Sequence, residues 1–233
     1  LPCSFHRPRW TGIWHFSAIL FAIAILLACA GAAQPAPLAP PITQSVQPSH
    51  EVPASQILSA IQSGQPVSYD NVTVTGRLEL DMSASPVRRQ VSITNSRFLD
   101  EVSVVAVTFS EDLDMRNCIF EENVSFVKSR FQGEFRLAGA VFLKQADFAE
   151  AVFSGPATFA SARFLSDASF SNAEFDGDAI FLDTGFASDV DFNYAKFMRT
   201  GYFYSAFFDD VRFFETLFQG QVTFRSVRFF GNA

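Results

Sequence analysis

Phenylalanine recurs every eleven residues along the second half of this chain. One series of positions with this spacing holds only phenylalanine. A second, interleaved series holds large apolar residues, and the merged spacing alternates between six and five residues. A fixed period over this length constrains the fold more strongly than local propensity does, because every unit must occupy an equivalent place. The first series is Phe98, Phe109, Phe120, Phe131, Phe142, Phe153, Phe164, Phe175, Phe186, Phe197 and Phe208. The second is Val104, Met115, Phe126, Leu137, Phe148, Phe159, Phe170, Phe181, Phe192, Phe203 and Phe214.

A small or β-branched residue precedes most of these large residues by two positions, as Ala140, Ala146 and Ala162 do. Positions two apart point the same way only in an extended strand, so both residues should face a core and the one between them solvent. Gly, Asp, Ser and Asn follow the large residue, which is typical of turns. A strand of about three residues followed by a turn, repeated many times, must coil, because spacings of five and six fit no helical face.

The unit Ala-x-Phe-x-x resembles the repeat of the pentapeptide repeat family, in a Phe-rich version with an occasional sixth residue. The resemblance covers about residues 91–229. It implies an all-β fold, a right-handed quadrilateral β-helix with four units per coil and the large residue on the axis. Four units here take about 22 residues instead of the family's twenty, which indicates two looser corners per coil or a distorted square. About six coils at a spacing of ~4.8 Å would form a rod roughly 30 Å long.

Residues 1–33 are expected to be a signal peptide or a membrane anchor. Arg7 and Arg9 precede a long stretch without charged residues, which predicts an N-terminal hydrophobic helix. Residues 26–29, Leu-Leu-Ala-Cys, resemble the lipobox of bacterial lipoproteins and make Cys29 a candidate for lipidation. Ordinary signal-peptide cleavage and retention as an uncleaved membrane-spanning helix remain open. Because few Lys or Arg follow before Arg77, we expect a membrane-associated protein whose body lies outside the cytoplasm, in the periplasm or at the cell surface.

Three further segments follow from the composition. Residues 34–53 hold six of the 11 prolines and predict an extended, Pro-rich linker. Residues 54–97 predict an N-terminal cap of a short helix, with Ile57 and Ile61 on its apolar face, and degenerate strands. A solenoid needs such a cap because its end exposes core and strand edges. Residues 98–233 are expected to form the repeat β-helix.

The sequence predicts no enzyme, no cofactor and no metal site. After residue 33 the only histidine is His50, in the predicted linker, so the body offers no Ser-His-Asp or Cys-His constellation. Three cysteines cannot form a disulfide framework, and Cys118 should be an inert thiol in a small inward slot. Acidic residues are interpreted as solvated turn residues. A β-helical enzyme would need inserted loops, and the sequence indicates none.

The predicted function is that of a rigid, non-enzymatic scaffold or protein-interaction rod, attached to the membrane through its N-terminal segment. The protein partner is unknown, and the net charge of −7 disfavours binding to nucleic acid. Some pentapeptide repeat proteins are acidic rods that resemble duplex DNA and act on a topoisomerase, and the charge keeps this alternative open. The export signal, however, places this chain in another compartment. A β-helical enzyme acting on envelope polysaccharide is a further alternative.

The eleven-residue grid breaks where phenylalanine doubles, because one residue is missing between the pairs at 207–208 and 213–214. Adjacent residues of a strand point to opposite sides, so one Phe of each pair should face solvent. Together with outward neighbours this predicts an aromatic contact surface and, most simply, a C-terminal end-to-end homodimer. The candidate interface residues are Tyr202, Tyr204, Phe207, Phe208, Phe213, Phe214 and Phe230.

Overall fold

The chain winds into a parallel β-solenoid of about eight turns with four sheets as its walls. The structure, a computed structural model, describes residues 50–204 and 206–232. One α-helix, α1 (Ala54–Gln62), and one 3₁₀ helix, Met82–Ala84, accompany the strands of this described part. The predicted all-β solenoid is therefore confirmed, whereas the predicted N-terminal hydrophobic helix lies outside the described residues.

The sheets are numbered here in the order in which each coil visits them. Sheet I contains the strands His50–Pro53, Val72–Thr75, Arg97–Phe98, Ile119–Phe120, Val141–Phe142, Arg163–Phe164, Gly185–Phe186, Phe207–Phe208 and Arg228–Phe229. Sheet II contains Leu78–Leu80, Val102–Val104, Val124–Ser125, Ala146–Asp147, Ala168–Ser169, Val190–Asp191 and Val211–Arg212. Sheet III contains Thr108–Phe109, Arg130–Phe131, Val152–Phe153, Glu174–Phe175, Lys196–Phe197 and Leu217–Phe218. Sheet IV contains Val67–Asp70, Val91–Thr94, Leu113–Asp114, Phe135–Arg136, Ala157–Thr158, Ala179–Ile180, Gly201–Tyr202 and Val222–Thr223.

Large residues from all four sheets fill the axis of the solenoid. Every member of the first series is buried, and so is every member of the second except Phe214. Residues one coil apart stack face to face: the ring centroid of Phe164 lies 4.6 Å from that of Phe142 and 4.8 Å from that of Phe186. Neighbouring stacks meet edge to face, as Phe159 and Phe170 do at 88°. The distance between neighbouring strands is therefore close to the distance between the centroids of offset-stacked aromatic rings.

Two kinds of corner alternate around each coil. From sheet II to sheet III and from sheet IV to sheet I the corner is tight, with two residues such as 127–128. The amide of Ser129 donates to the carbonyl of Phe126 at 3.1 Å, and Lys128 has φ 60°. This is the pattern of a type II turn. The other two corners are wide and hold three residues, for example 121–123 and 132–134. The two looser corners that the sequence spacing indicated are these wide corners.

Three successive corners from sheet III to sheet IV have glycine where their backbones meet. In the corner from sheet III to sheet IV, Gly133, Gly155 and Gly177 lie above one another in successive coils. A Cβ atom on Gly177 would lie 2.3 Å from the carbonyl oxygen of Gly155, which is closer than real Cβ contacts allow. The absence of a side chain therefore lets these coils approach at the strand spacing.

Coil length departs from its regular value at both ends of the described solenoid. Leu80 pairs with Val104, while Val87 bridges to Phe109, so the segment from Leu80 to Val87 is longer by two than its counterpart in the next coil. This insertion lies at a corner that is tight in later coils. The sequence indicates no inserted loop, and this expectation was wrong: the Val-rich first coils hide the shift in register. Near the other end a coil is shorter by one, because the corner 209–210 has lost one residue.

Helix α1 closes the first coil in place of strands in sheets II and III. Its residues Ala54, Ile57 and Ile61 are buried, at the spacing of one helical face. The strand before it, His50–Pro53, pairs in parallel with Val72–Thr75. The composition predicts residues 50–53 as linker, so the solenoid begins earlier than expected and His50 belongs to a strand. Burying Val52, at 0% exposure, outweighs the poor strand propensity of Pro53, which lies at the edge of its sheet.

The inward register can be tested with two adjacent residues. Phe164 is 1% exposed, whereas Leu165 beside it is 50% exposed. We expect Phe164→Ala to lower the free energy of unfolding by about 3–5 kcal/mol, because it removes one ring from a stack and leaves a cavity. Leu165→Ala should cost less than about 0.5 kcal/mol. Equilibrium unfolding in guanidinium chloride measures both, and equal losses would contradict the register.

Candidate functional site

The structure separates the seven predicted interface residues into two groups. Phe208 and Phe213 belong to the axial stacks, where they lie 5.1 Å from Phe186 and 5.2 Å from Phe192 between ring centroids. Phe208 is fully buried, so its place in the predicted interface was wrong. The missing residue at 209–210 shifts the register by one, and Phe213 rather than Phe214 takes the inward slot.

The other five predicted residues lie on the outside of the last coils. Phe230 is 70% and Phe214 59% exposed. Phe224 and Phe229, which occupy inward slots of the last described coil, are also exposed because no further described coil covers them. We call these residues together the C-terminal aromatic surface: Tyr202, Tyr204, Phe207, Phe214, Phe224, Phe229 and Phe230.

Two arginines lie on rings of this surface. The guanidinium carbon of Arg225 is 5.4 Å from the ring centroid of Tyr204, and that of Arg228 is 5.7 Å from that of Phe207. Each arginine belongs to the coil that follows its ring. Cation–π contacts of this kind hold the arginines against the wall while their donors remain available to a partner.

The acidic residues concentrate in the wide corners, which lie at opposite edges of the solenoid. A hollow of about 140 Å³ lies beside one of these edges, lined partly by Asp167, Asp189 and Asp191. Arg212 pairs with Asp189 at 2.6 Å, and Ser188 donates to Asp167 at 2.5 Å. Within residues 50–204 and 206–232 no group of three or more His, Cys, Asp or Glu side chains is arranged to hold a metal ion. The corner residues that line the wide edges are Asp100, Glu101, Glu121, Glu122, Asp167, Asp189, Asp209 and Asp210 on one side, and Glu111, Asp112, Glu134, Asp176 and Asp178 on the other.

One carboxylate on the outer face of sheet IV is nearly buried. The side chain of Asp114 is 6% exposed, and Arg116 donates to both of its oxygens, at 2.9 Å and 2.8 Å. This hydrogen bond, together with the charge of Asp114, raises the pKa of Arg116. Arg136 approaches the same carboxylate at 4.0 Å and pairs with Asp112 at 3.1 Å. A carboxylate held in this way is a structural ion pair and offers no free base.

A cleft of about 330 Å³ separates the end of helix α1 from the inserted corner. Its lining includes Ile61, Gln62, Ala84 and Arg88. The sequence pattern did not reveal it, because the cleft depends on where helix α1 ends and on an insertion in coils that lack the phenylalanine signal. The cleft lies beside the one corner of the described coils that contains inserted residues.

Comparison with known families agrees with the repeat geometry. The family model described as pentapeptide repeats, nine copies, matches residues 105–152 and 137–185. Residues 105–185 therefore match the pentapeptide repeat family. No curated protein and no solved structure matches the chain.

The candidate lipidation site, Cys29, lies outside the described residues. Among the residues that are described, no helix is long and apolar enough to cross a membrane. The proposed membrane attachment therefore depends on the sequence of residues 1–33 alone.

Cys118 occupies the small slot of a sheet I strand, as the repeat pattern predicted. Its thiol is fully buried and lies 3.1 Å from the carbonyl oxygen of Ile93. Burial raises the pKa of the Cys118 thiol to about 12. A protonated thiol inside a packed wall is neither a nucleophile nor a metal ligand at neutral pH.

The reactivity of Cys118 tests this placement. In a variant with Cys3 and Cys29 replaced by serine, we expect the folded protein to resist iodoacetamide at pH 8 and to react fully once denatured. Above pH 9.0 the thiol ionises in the unfolded chain but not in the folded one, so its contribution to stability is lost as the pH rises toward about 12. Cys118→Ala should lack this part of the pH dependence. Rapid labelling of the folded variant would contradict a buried thiol.

Proposed function

We propose that this protein is a non-enzymatic scaffold, an exported rod that presents its faces to other proteins. The observation that carries the proposal is the continuous wall: four parallel sheets run from the first coils to the last around a filled aromatic core. Over the described residues, packed apolar side chains run along the axis, and a change of shape would break many in-register contacts. Rigid presentation of side chains at fixed spacing is what this architecture supports best.

The proposed attachment is to a membrane, through residues 1–33. An uncharged stretch preceded by Arg7 and Arg9 supports export, and the residues before Cys29 support lipidation at that cysteine. The Pro-rich composition of residues 34–49 suits a spacer between membrane and rod. The body would then lie in the periplasm or at the cell surface.

Substitution of Cys29 distinguishes the three modes of attachment. If the cysteine is lipidated, Cys29→Ser abolishes incorporation of labelled fatty acid and changes the mature mass. If the segment is cleaved as an ordinary signal, the variant is processed and released like the parent chain. An unprocessed variant that resists carbonate extraction would show an uncleaved anchor. Cys118→Ser serves as the matched control and should alter none of these readouts.

We further propose that the C-terminal aromatic surface contacts a second copy of the chain. In a two-fold contact the same surface of both copies meets, so exposed rings of one copy can lie against rings of the other and Phe214, Phe224 and Phe230 are covered together. The last coils carry charges of both signs, Arg225 and Arg228 on rings of this surface and Asp209 and Asp210 in a wide corner, so a two-fold arrangement can oppose unlike charges. Such a contact would cover the exposed rings without burying a further charged side chain against them.

Sedimentation of residues 45–233, which form one compact unit, tests this contact. We expect a dimer at tens of micromolar and a monomer for Phe230→Asp, because a carboxylate would be buried against aromatic rings. Leu165→Asp, on an exposed leucine of the lateral wall, is the control and should leave the dimer intact. A monomeric parent fragment would rule out the homodimer.

A second candidate function is mimicry of DNA toward a topoisomerase, and the acidic wide corners favour it. They place carboxylates along opposite edges of the solenoid, in several but not all coils. The export signal argues against it, because topoisomerases act in the cytoplasm. Inhibition of purified topoisomerase by residues 45–233, lost on replacing Glu121 and Glu122 by glutamine, would support mimicry, and cytosolic localisation of the tagged full chain would be required.

A further inference from the structure

The cleft beside helix α1 has a lining of mixed polarity. Ile61, Ala84 and Pro86 contribute apolar atoms, while Gln62, Ser83, Ser85 and Arg88 contribute polar groups. Its volume of about 330 Å³ is near the lower limit of pockets that take small ligands. A hollow of this size and mixed polarity can hold a small ligand that has both an apolar and a polar part.

The inserted corner that forms one wall of the cleft is held in a single conformation. Asp81 accepts hydrogen bonds from the amide and the hydroxyl of Ser83, at 2.8 Å and 2.6 Å. The amide of Thr108 in the next coil donates to the hydroxyl of Ser85 at 3.1 Å. The wall is therefore fixed both within the turn and to the coil behind it, which lowers the entropy lost when a ligand binds.

The opposite wall is equally complete. The amides of Ser63, Gly64 and Gln65 donate to the carbonyls of Ser59, Ile61 and Ala60 at the end of helix α1. These carbonyls have partners already and do not require Arg88 to cap them.

Two polar side chains of the lining, by contrast, have no bonding partner in the described part of the chain. Among the described residues, neither the guanidinium of Arg88 nor the side-chain amide of Gln62 has a hydrogen bond or an ion pair. Arg88 and Arg89 occupy a wide corner where later coils carry Glu111, Asp112 and Glu134, so the charge at this edge reverses in the first coils. The carboxylate nearest in sequence, Asp81, is held by Ser83.

We propose that this cleft binds a carboxylate attached to a short apolar body, such as the carboxyl-terminal residues of a peptide or a small free acid. The carboxylate accepts hydrogen bonds from Arg88 and from the amide of Gln62, and the apolar body covers Ile61, Ala84 and Pro86. A planar guanidinium matches two carboxylate oxygens in a bidentate pair.

Binding of defined probes to the full chain tests the proposal. The probes are acetyl-Leu-Ala-Val with a free carboxyl end, the same tripeptide amidated, and 3-phenylpropionate, each followed through NMR shifts of ¹⁵N-labelled protein near the cleft. We expect amidation to weaken binding about tenfold, the factor associated with losing a charge-assisted hydrogen bond. Arg88→Gln should weaken both acids to a similar degree. Arg89→Gln is the matched control, because Arg89 does not line the cleft, and it should change affinity less than twofold.

The two acid probes separate the two sources of ligand. Tighter binding of the tripeptide identifies a peptide end as the occupant, and tighter binding of 3-phenylpropionate identifies a free acid, and either result supports the proposal if Arg88→Gln weakens it. All three probes failing to shift residues of the cleft would overturn it. Equal binding of the free and amidated tripeptides, or no effect of Arg88→Gln on a folded protein, would overturn it as well.

Discussion

Stacking of inward phenylalanines between successive coils is the interaction on which the rest of the structure depends. Rings one coil apart lie 4.6–5.5 Å from centroid to centroid over most of the solenoid, and the strands that carry them pair in register. Burying each ring stabilises the fold by about 1.5–3 kcal/mol, and offset pairs add about 0.5–1.5 kcal/mol. Strands of two residues could not hold together by their hydrogen bonds alone, so the stacks keep the four walls closed.

The corners follow from that stack. Because each large residue must reach the axis, the corner between two strands of the regular coils is either a tight pair or a wide triple of residues, and the two kinds alternate. Side chains in the corners are free of the core and can vary, which is why charge collects there. Glycine is required only where backbones of the wide corners approach most closely, as Gly155 and Gly177 do.

The surface departs from the repeat pattern where the length of a coil changes. Two extra residues between Leu80 and Val87 turn a tight corner into the wall of a cleft. One missing residue at 209–210 moves Phe214 out of the core and leaves it 59% exposed. Both proposed contact sites, the cleft and the C-terminal aromatic surface, therefore result from changes in coil length and not from unusual residues within a regular coil.

The sequence by itself determined the repeat, the inward register and the solenoid, because one side chain at a fixed spacing admits one kind of stack. It also located the missing residue between the two pairs of phenylalanines. It could not decide which phenylalanine of each pair faces inward, since that depends on which corner is short. Nor could it find the strand at His50–Pro53 or the cleft: there Val52, Leu80 and Val87 occupy core slots without the phenylalanine signal. Only the tertiary structure, by showing which strands pair across coils, fixed those positions, because pairing counts residues through space where the sequence pattern has faded.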